Sequence, residues 1–280
     1  MKYIIVTAVR NEVLHISKTI ESVLNQTLLP EKWILIDDRS TDQTAGIIKG
    51  YCQKFGWIEY RYNDSVHLSE KGARIAKIIT GAVESAGTDY HLLSKLDADV
   101  SFEKDFYAEM VDAFEKDEKL GIASGSLLYK GKEERNIFGN LTRGATKMYR
   151  KDCWDDIGGL FITTGWDTLD NIAANYKGWN TKALNIPFHH LKEEGRTQGY
   201  FRKYYDSGIY YGKIPYSLRF LSFKLIYRIF EKPMILSSIY TLAGFIKTRY
   251  IRKERPFPAE ISKYYKKQQI HFLTNFYKYL

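Results

Sequence analysis

A chain of 280 residues, 44% hydrophobic and 27% charged, can bury a sizeable core and has the make-up of a folded globular protein, not of a disordered or fibrous one. Its net charge of +9 is uneven: residues 201–280 hold 16 Lys and Arg against 4 Asp and Glu, so the first 200 residues are slightly acidic. Two cysteines, Cys52 and Cys153, exclude a disulfide-built scaffold and fit a reducing compartment. The opening MKYIIVTAV is too short an apolar run for a signal peptide and reads as a strand.

In chain order, the apolar β-branched run 2–9 predicts a first strand, and the spacing of Leu14, Ile16, Ile20, Val23 and Leu24 predicts a helix within 12–26. A strand at 33–36 ends on Asp37-Asp38, and Ser40-Thr41-Asp42 supplies helix-start chemistry for 43–55. A strand at 58–62, a helix at 70–86 and a strand at 91–96 follow, then a helix at 103–117 and a strand at 121–128. Beyond residue 130 the reading is a strand within 142–149, a helix at 168–176 and a strand at 181–186. This alternation predicts an α/β fold with an open sheet of at least partly parallel strands, flanked by helices.

Open α/β sheets collect ligands beyond the carboxyl ends of their strands. Four polar clusters fall there: TAVRNE at 7–12, DDRS at 37–40, KGAR at 71–74 and DAD at 97–99. A lone D-x-D pair is weak evidence, but four clusters converging on one sheet edge suggest a site for a highly charged ligand. A hard divalent cation could be held there by one or two carboxylates.

In the order and spacing of these motifs over residues 1–190, the sequence resembles the family 2 glycosyltransferases, which have the GT-A fold. The resemblance implies transfer of a sugar from a nucleotide donor with inversion. It makes Asp38 the acceptor of a uracil or thymine N–H, and places Thr7, Ala8, Arg10, Glu12 and Arg74 around the nucleotide. Asp97 would contact the ribose or a metal-bound water, and Asp99 would ligate Mg²⁺ or Mn²⁺. His189 and His190, near Lys192 and Arg196, are either structural or a further contact to metal or diphosphate. Inversion also needs a carboxylate base after a Gly-Gly loop. Here Ile157-Gly158-Gly159-Leu160 is followed by Trp166-Asp167, which makes Asp167 the first choice and Asp170 the second. Trp166 stands where the family often has Glu. It and Gly159 would line the acceptor side, unless Trp166 is simply core.

The division expected is a catalytic unit over 1–200, with a nucleotide-sugar half at 1–100 and an acceptor half at 101–200, followed by a helical, basic and aromatic extension over 201–280. The uncharged run between Lys232 and Lys247 is too short to span a bilayer as a helix. Residues 218–253, with Arg249, Arg252, Lys253 and Arg255, suit either an anionic membrane surface or packing on the catalytic unit. No nucleic-acid module is visible. The resulting expectation is a cytoplasmic enzyme, peripheral at the inner face of the cell membrane. It would use a UDP- or dTDP-sugar and a saccharide or lipid-linked acceptor in cell-surface polysaccharide synthesis. The rivals are a nucleotidyltransferase, although TAVRNE lacks the glycines of a phosphate loop, and a silent membrane adaptor retaining the fold.

Overall fold

The computed structural model describes residues 1–129, 132–133, 142–192, 199–228 and 235–275. Strands β1 (Tyr3–Val9), β2 (Lys32–Asp37), β3 (Ile58–Tyr62) and β4 (Leu92–Leu96) alternate with helices α1 (Ile16–Leu24), α2 (Thr44–Cys52) and α3 (Lys71–Glu84). Then come β5 (Val100–Phe102), α4 (Phe106–Lys116), β6 (Leu120–Tyr129), β7 (Lys132–Glu133), β8 (Thr146–Arg150), α5 (Lys151–Ile157), α6 (Trp166–Tyr176) and β9 (Asn180–His190). Helices α7 (Tyr200–Lys213), α8 (Leu218–Arg228) and α9 (Ile235–Ile246) follow. A π-helical turn at Lys247–Ile251 continues α9, and α10 (Ala259–Thr274) comes last.

The sheet runs β3-β2-β1-β4-β8-β6-β9-β5, with β7 on β6. The first four strands are parallel, so Val9, Asp37 and Leu96 all end at one edge. β8 runs antiparallel to β4 and β6, a mixed order that brings the chain back beside the parallel half. β5 and α5 are absent from the sequence reading because a three-residue strand and a seven-residue helix are too short to show a period. β9 runs four residues past its expected end, and pairing of His190 with Val100 explains why.

Period-two alternation along β1 and β2 sends Tyr3, Ile5, Trp33 and Leu35 to one face, where α1, α2 and α4 cover them. Ile4, Val6, Ile34 and Ile36 go to the other, under α3, α5 and α6. A further layer builds on α6: Leu169 packs with Tyr211, Ile214, Phe220 and Phe245, and Ile172 and Ala173 pack with Ile261. The inner faces of the C-terminal helices are therefore core, as one of the two readings of residues 218–253 held. Arg249 is a correction to the other reading: it is buried, with its guanidinium on the Ile214 carbonyl and over the Phe245 and Phe257 rings.

Candidate active site

Loops after β1 and β2 are stitched into one surface. Asn11 N–H donates to Ser40 Oγ (3.0 Å), Thr41 N–H to Asn11 Oδ1 (2.8 Å) and Glu12 N–H to Thr44 Oγ1 (2.8 Å). Asn11 and Arg39 hold positive φ angles of 53° and 60°, strain of the kind that accumulates where loops are shaped for a ligand. Asp38 sits at the centre. Its Oδ1 accepts from Arg39 Nη2 (3.0 Å) and Asn63 Nδ2 (2.8 Å), its Oδ2 accepts from Arg74 Nε (2.7 Å), and Arg10 Nη1 lies 3.8 Å from Oδ2. Burial works to raise the Asp38 pKa, but the bonds from Asn63, Arg39 and Arg74 outweigh it and hold the carboxyl below the usual carboxylate range. Arg10, Asp38 and Arg74 thus come together. Asn63 was not foreseen, though it directly follows a strand at the site edge.

Thr7 does not join them. Its side chain is fully buried and its hydroxyl accepts the Trp33 indole N–H (3.0 Å). Ala8, on the alternate face of β1, is partly exposed.

The second corner lies at the end of β4. His190 Nδ1 is 3.9 Å from Asp99 Oδ1, and both side chains are less than one-fifth exposed. His189 alternates away from His190 along β9 and is exposed. Glu12 is ion-paired with Lys192, and its Oε2 is buried with no hydrogen-bond partner among the described residues. Burial raises the Glu12 pKa, Lys192 works against that, and nearby Asp99 adds to it. Among the described residues no three His, Cys, Asp or Glu side chains form a ready-made metal cage. The donor chemistry still fits Mg²⁺ or Mn²⁺, which need only one or two protein carboxylates when phosphate oxygens complete the shell. Arg196 lies outside the described residues.

The third corner is α6. Lys95, at the end of β4, ion-pairs with Asp97 and donates to the Gly144 carbonyl (2.7 Å). A Cβ on Gly144 would stand 3.5 Å from Asp167 Oδ2, so the Asp167 carboxylate lies directly beside that backbone. Asp167 therefore packs beside the glycine whose carbonyl takes Lys95, the ion-pair partner of Asp97. Asp170 is spoken for: Lys147 Nζ is 2.6 Å from both its oxygens, Tyr149 OH is 2.6 Å from Oδ2, and the Asn171 N–H is 2.6 Å from Oδ1. Asp167 instead lends its main-chain carbonyl to Lys147 (2.5 Å) and Asn171 (2.7 Å). Burial raises the Asp167 pKa; Lys147 and Lys95 oppose the rise and Asp170 adds to it.

Trp166 belongs to the core. It is 7% exposed, with Lys95 and Lys147 over its ring at 5.2 and 5.5 Å, a position that agrees with the core one of its two readings. Gly159 has φ 77° in the turn after α5, close to Thr80 and Trp154. Lys95, Lys147 and Tyr149 were missed by sequence reasoning. Each lies inside a predicted strand, where a lone polar residue gives no sign that it meets a partner on a distant helix.

The family model described as "Glycosyl transferase family 2" matches residues 4–190. No curated protein sequence matches the chain significantly. Among solved structures, the mannosyltransferase PcManGT from Pyrobaculum calidifontis, in complex with GDP-Man and Mn²⁺, superposes with a TM-score of 0.64 at 12% identity, covering 90% of this chain and 88% of that one. S. aureus TarS 1–349 in complex with UDP-GlcNAc gives a TM-score of 0.57 at 15% identity, covering 90% of this chain and 73% of that one. At these identities the likeness concerns the fold, which is GT-A.

Proposed function

We propose that this chain, which belongs to glycosyl transferase family 2, transfers a sugar with inversion from a UDP- or dTDP-linked donor to a saccharide or lipid-linked acceptor, with Mg²⁺ or Mn²⁺. The observation that supports the reading is a link through packing: Lys95 pairs with Asp97 and bonds the Gly144 carbonyl, and Asp167 lies beside Gly144, so the acidic edge of β4 stands close to a carboxylate on α6. Donor binding and proton removal need groups held in a fixed relation, and this link supplies one.

Asp38 supports a pyrimidine. Both acceptor sites of Oδ1 are filled by Arg39 and Asn63, and Oδ2 has one close donor, Arg74. One N–H can still be accepted at Oδ2, which suits N3–H of uracil or thymine. Guanine presents adjacent donors that call for both oxygens. Arg10 and Arg74 add positive charge beside the nucleotide. GDP-Man in PcManGT and UDP-GlcNAc in TarS set the two alternatives that a binding panel must separate.

Asp99, with His190 beside it, would hold the cation, and Asp97 would stand at the ribose side. A bound cation supplies charge neutralisation for the departing diphosphate. Asp167 takes the proton of the acceptor hydroxyl. Its burial raises its basicity, and Lys147 and Lys95 keep it ionised enough to act. Asp170 suits a supporting role, because every lone pair the structure describes is engaged by Lys147, Tyr149 or Asn171.

On this reading residues 1–200 are the catalytic unit and 201–280 an extension packed on α6. Synthesis of cell-surface polysaccharide on a lipid-linked acceptor would bring the enzyme to the inner face of the membrane. A thermal-shift panel of nucleoside diphosphates and nucleotide sugars, with and without Mn²⁺, tests the donor class. A ligand that binds the folded state raises the melting temperature by mass action. A metal-dependent shift with UDP or dTDP is expected, and a panel with no shift for any nucleotide would overturn the reading.

A further inference from the structure

Helices α7 and α9 pack with small residues between them and large apolar ones outward. A Cβ on Gly208 would meet the Thr241 carbonyl at 2.0 Å, and one on Gly244 would meet the Tyr205 carbonyl at 2.2 Å, so the two backbones touch. The buried side of α9 and its π-helical continuation is Ser237, Thr241, Gly244, Phe245 and Thr248. The exposed side is Ile235, Leu236, Ile239, Leu242, Ile246 and Ile251, from 37% exposed at Leu242 to 72% at Ile251. A helix in water does the reverse, hiding aliphatics and showing small polar groups. Close backbone contact through small residues with aliphatics outside is the arrangement that suits helices in lipid.

We propose that this outer face of α9 docks on an anionic membrane surface, with the helix lying in the interface. The face is too short to span: twelve residues of α9 make about 18 Å against a hydrocarbon core of about 30 Å. Among the described residues no helix is long and apolar enough to cross a membrane. Its ends are basic. Exposed Arg252, Lys253 and Arg255 follow it, and exposed Arg202 and Lys203 stand beside Phe201, whose ring lies 4.9 Å from Tyr240. Among the described residues Glu254 pairs with Lys213 and Arg252, and Asp206 with Arg202, which leaves Lys203, Lys253 and Arg255 to carry most of the rim's charge. Tyr240 and Tyr250 are exposed at the same face, where an aromatic ring with a polar tip fits the headgroup level. A second copy of the chain would bring the same positive rim against itself, whereas anionic headgroups complement it. Resting on the transferase reading, one consequence follows. α7 also hydrogen-bonds α6 next to Asp167, through Tyr210 OH and Thr168 Oγ1 at 2.5 Å, so the docked face and the base are connected through α9, α7 and α6, an arrangement that suits a lipid-linked acceptor.

The experiment is flotation of the full chain with phosphatidylglycerol–phosphatidylcholine vesicles and with pure phosphatidylcholine vesicles, at low and high salt. Wild type is expected to float with the anionic vesicles at low salt and to lose most of that binding at high salt. Ile239→Ser/Ile246→Ser, both on exposed positions, should cut partition at least about tenfold without lowering the melting temperature. Arg252→Gln/Lys253→Gln/Arg255→Gln should cut it roughly a hundredfold at low salt, at about fivefold per charge. A wild type that stays in solution with every vesicle, or variants that float as it does, would overturn the proposal. So would a dimer, seen by light scattering, that Ile239→Ser/Ile246→Ser splits into monomers, because the face would then be a self-interface. The readout is independent of sugar transfer, so its failure leaves the donor site standing, and failure of the nucleotide panel leaves this surface standing.

Discussion

Lys147 holds both carboxylate oxygens of Asp170 at 2.6 Å, and neither side chain is exposed to solvent. The same ammonium bonds the Asp167 carbonyl, so one buried cation fixes the first turn of α6. Burial pulls the Lys147 pKa down, and the charges of Asp170 and Asp167 work against that.

Lys147→Met would strand a buried carboxylate. Removing one partner of such a pair costs about 3–5 kcal/mol, and a loss of that size should appear in chemical denaturation. Lys147→Met/Asp170→Leu replaces the pair by apolar groups of similar volume and should recover most of the stability, since buried pairs gain little net over good packing. A single variant as stable as wild type would show that the contact is not made.

Asp167→Asn removes a proton acceptor and leaves ground-state contacts in place. Donor binding should stay near wild type while turnover falls about 10²–10⁴-fold. The wild-type rate should have an acid limb set by Asp167. The base works deprotonated and its pKa is raised, so the limb should lie above the ordinary carboxylate value of about 4. Lys147, Lys95, Asp170, Tyr149 and Tyr210 face this group. Loss of Lys147 removes a charge that lowers the Asp167 pKa, whereas loss of Asp170 removes one that raises it, so the single variant Lys147→Met is the one in which the limb should move to higher pH. A pH–rate profile unchanged in that variant would separate Lys147 from the base.

How much of this was legible in the sequence depends on the range of the interaction. β1 to β4 and their helices show plainly, because each carries its own apolar period and ends on a polar cluster. Asp38, Arg74, Asp97 and Asp99 stand on those polar clusters, and the structure brings Arg74 onto Asp38. Lys95 and Lys147 were not legible. Their partners are 49 and 23 residues away in the chain, and only the antiparallel placement of β8 beside β4 brings them under α6. Trp166 and Thr7 turn into the core, because a motif fixes position along the chain but not which face of the element turns outward. The C-terminal helices gave an ambiguous signal for a physical reason: they have one face in the core and another outside.

Asp99 and Asp97 should differ in what their loss does. Asp99→Asn keeps the side-chain shape and removes the charge beside His190, so the metal-dependent part of nucleotide binding should vanish in calorimetry with and without Mn²⁺. Asp97→Asn also frees Lys95, and should weaken turnover more than metal dependence. Wild-type turnover of Asp99→Asn at ordinary Mn²⁺ would move the metal elsewhere.

For Asp38→Ala the expected loss of UDP affinity is about 1.5–3 kcal/mol, the scale of a hydrogen bond to a charged group. Arg39, Arg74 and Asn63 lose their shared partner in the same variant, so the loop after β2 should also loosen. Comparison with GDP isolates base recognition from that loosening. The wild type should prefer UDP and the variant should lose the preference, whereas equal or tighter GDP binding by the wild type would count against a pyrimidine site.

Gly208 offers a test of the α7–α9 packing alone. A methyl there would sit 2.0 Å from the Thr241 carbonyl, and a backbone atom cannot swing aside as the end of a flexible side chain can. The helices would have to separate, at a cost of about 1–3 kcal/mol or more for an overpacked contact. Gly81 on α3 is the control, because a Cβ there meets nothing within 4 Å. Replacing a helical glycine in open space by alanine gains roughly 0.5–1 kcal/mol from the unfolded chain's lost freedom. Gly208→Ala should therefore lower the melting temperature and Gly81→Ala should raise it, two opposite shifts from the same chemical change. Equal shifts of one sign would mean that α7 and α9 do not meet through their backbones, and the outward aliphatic face of α9 would then need a different explanation.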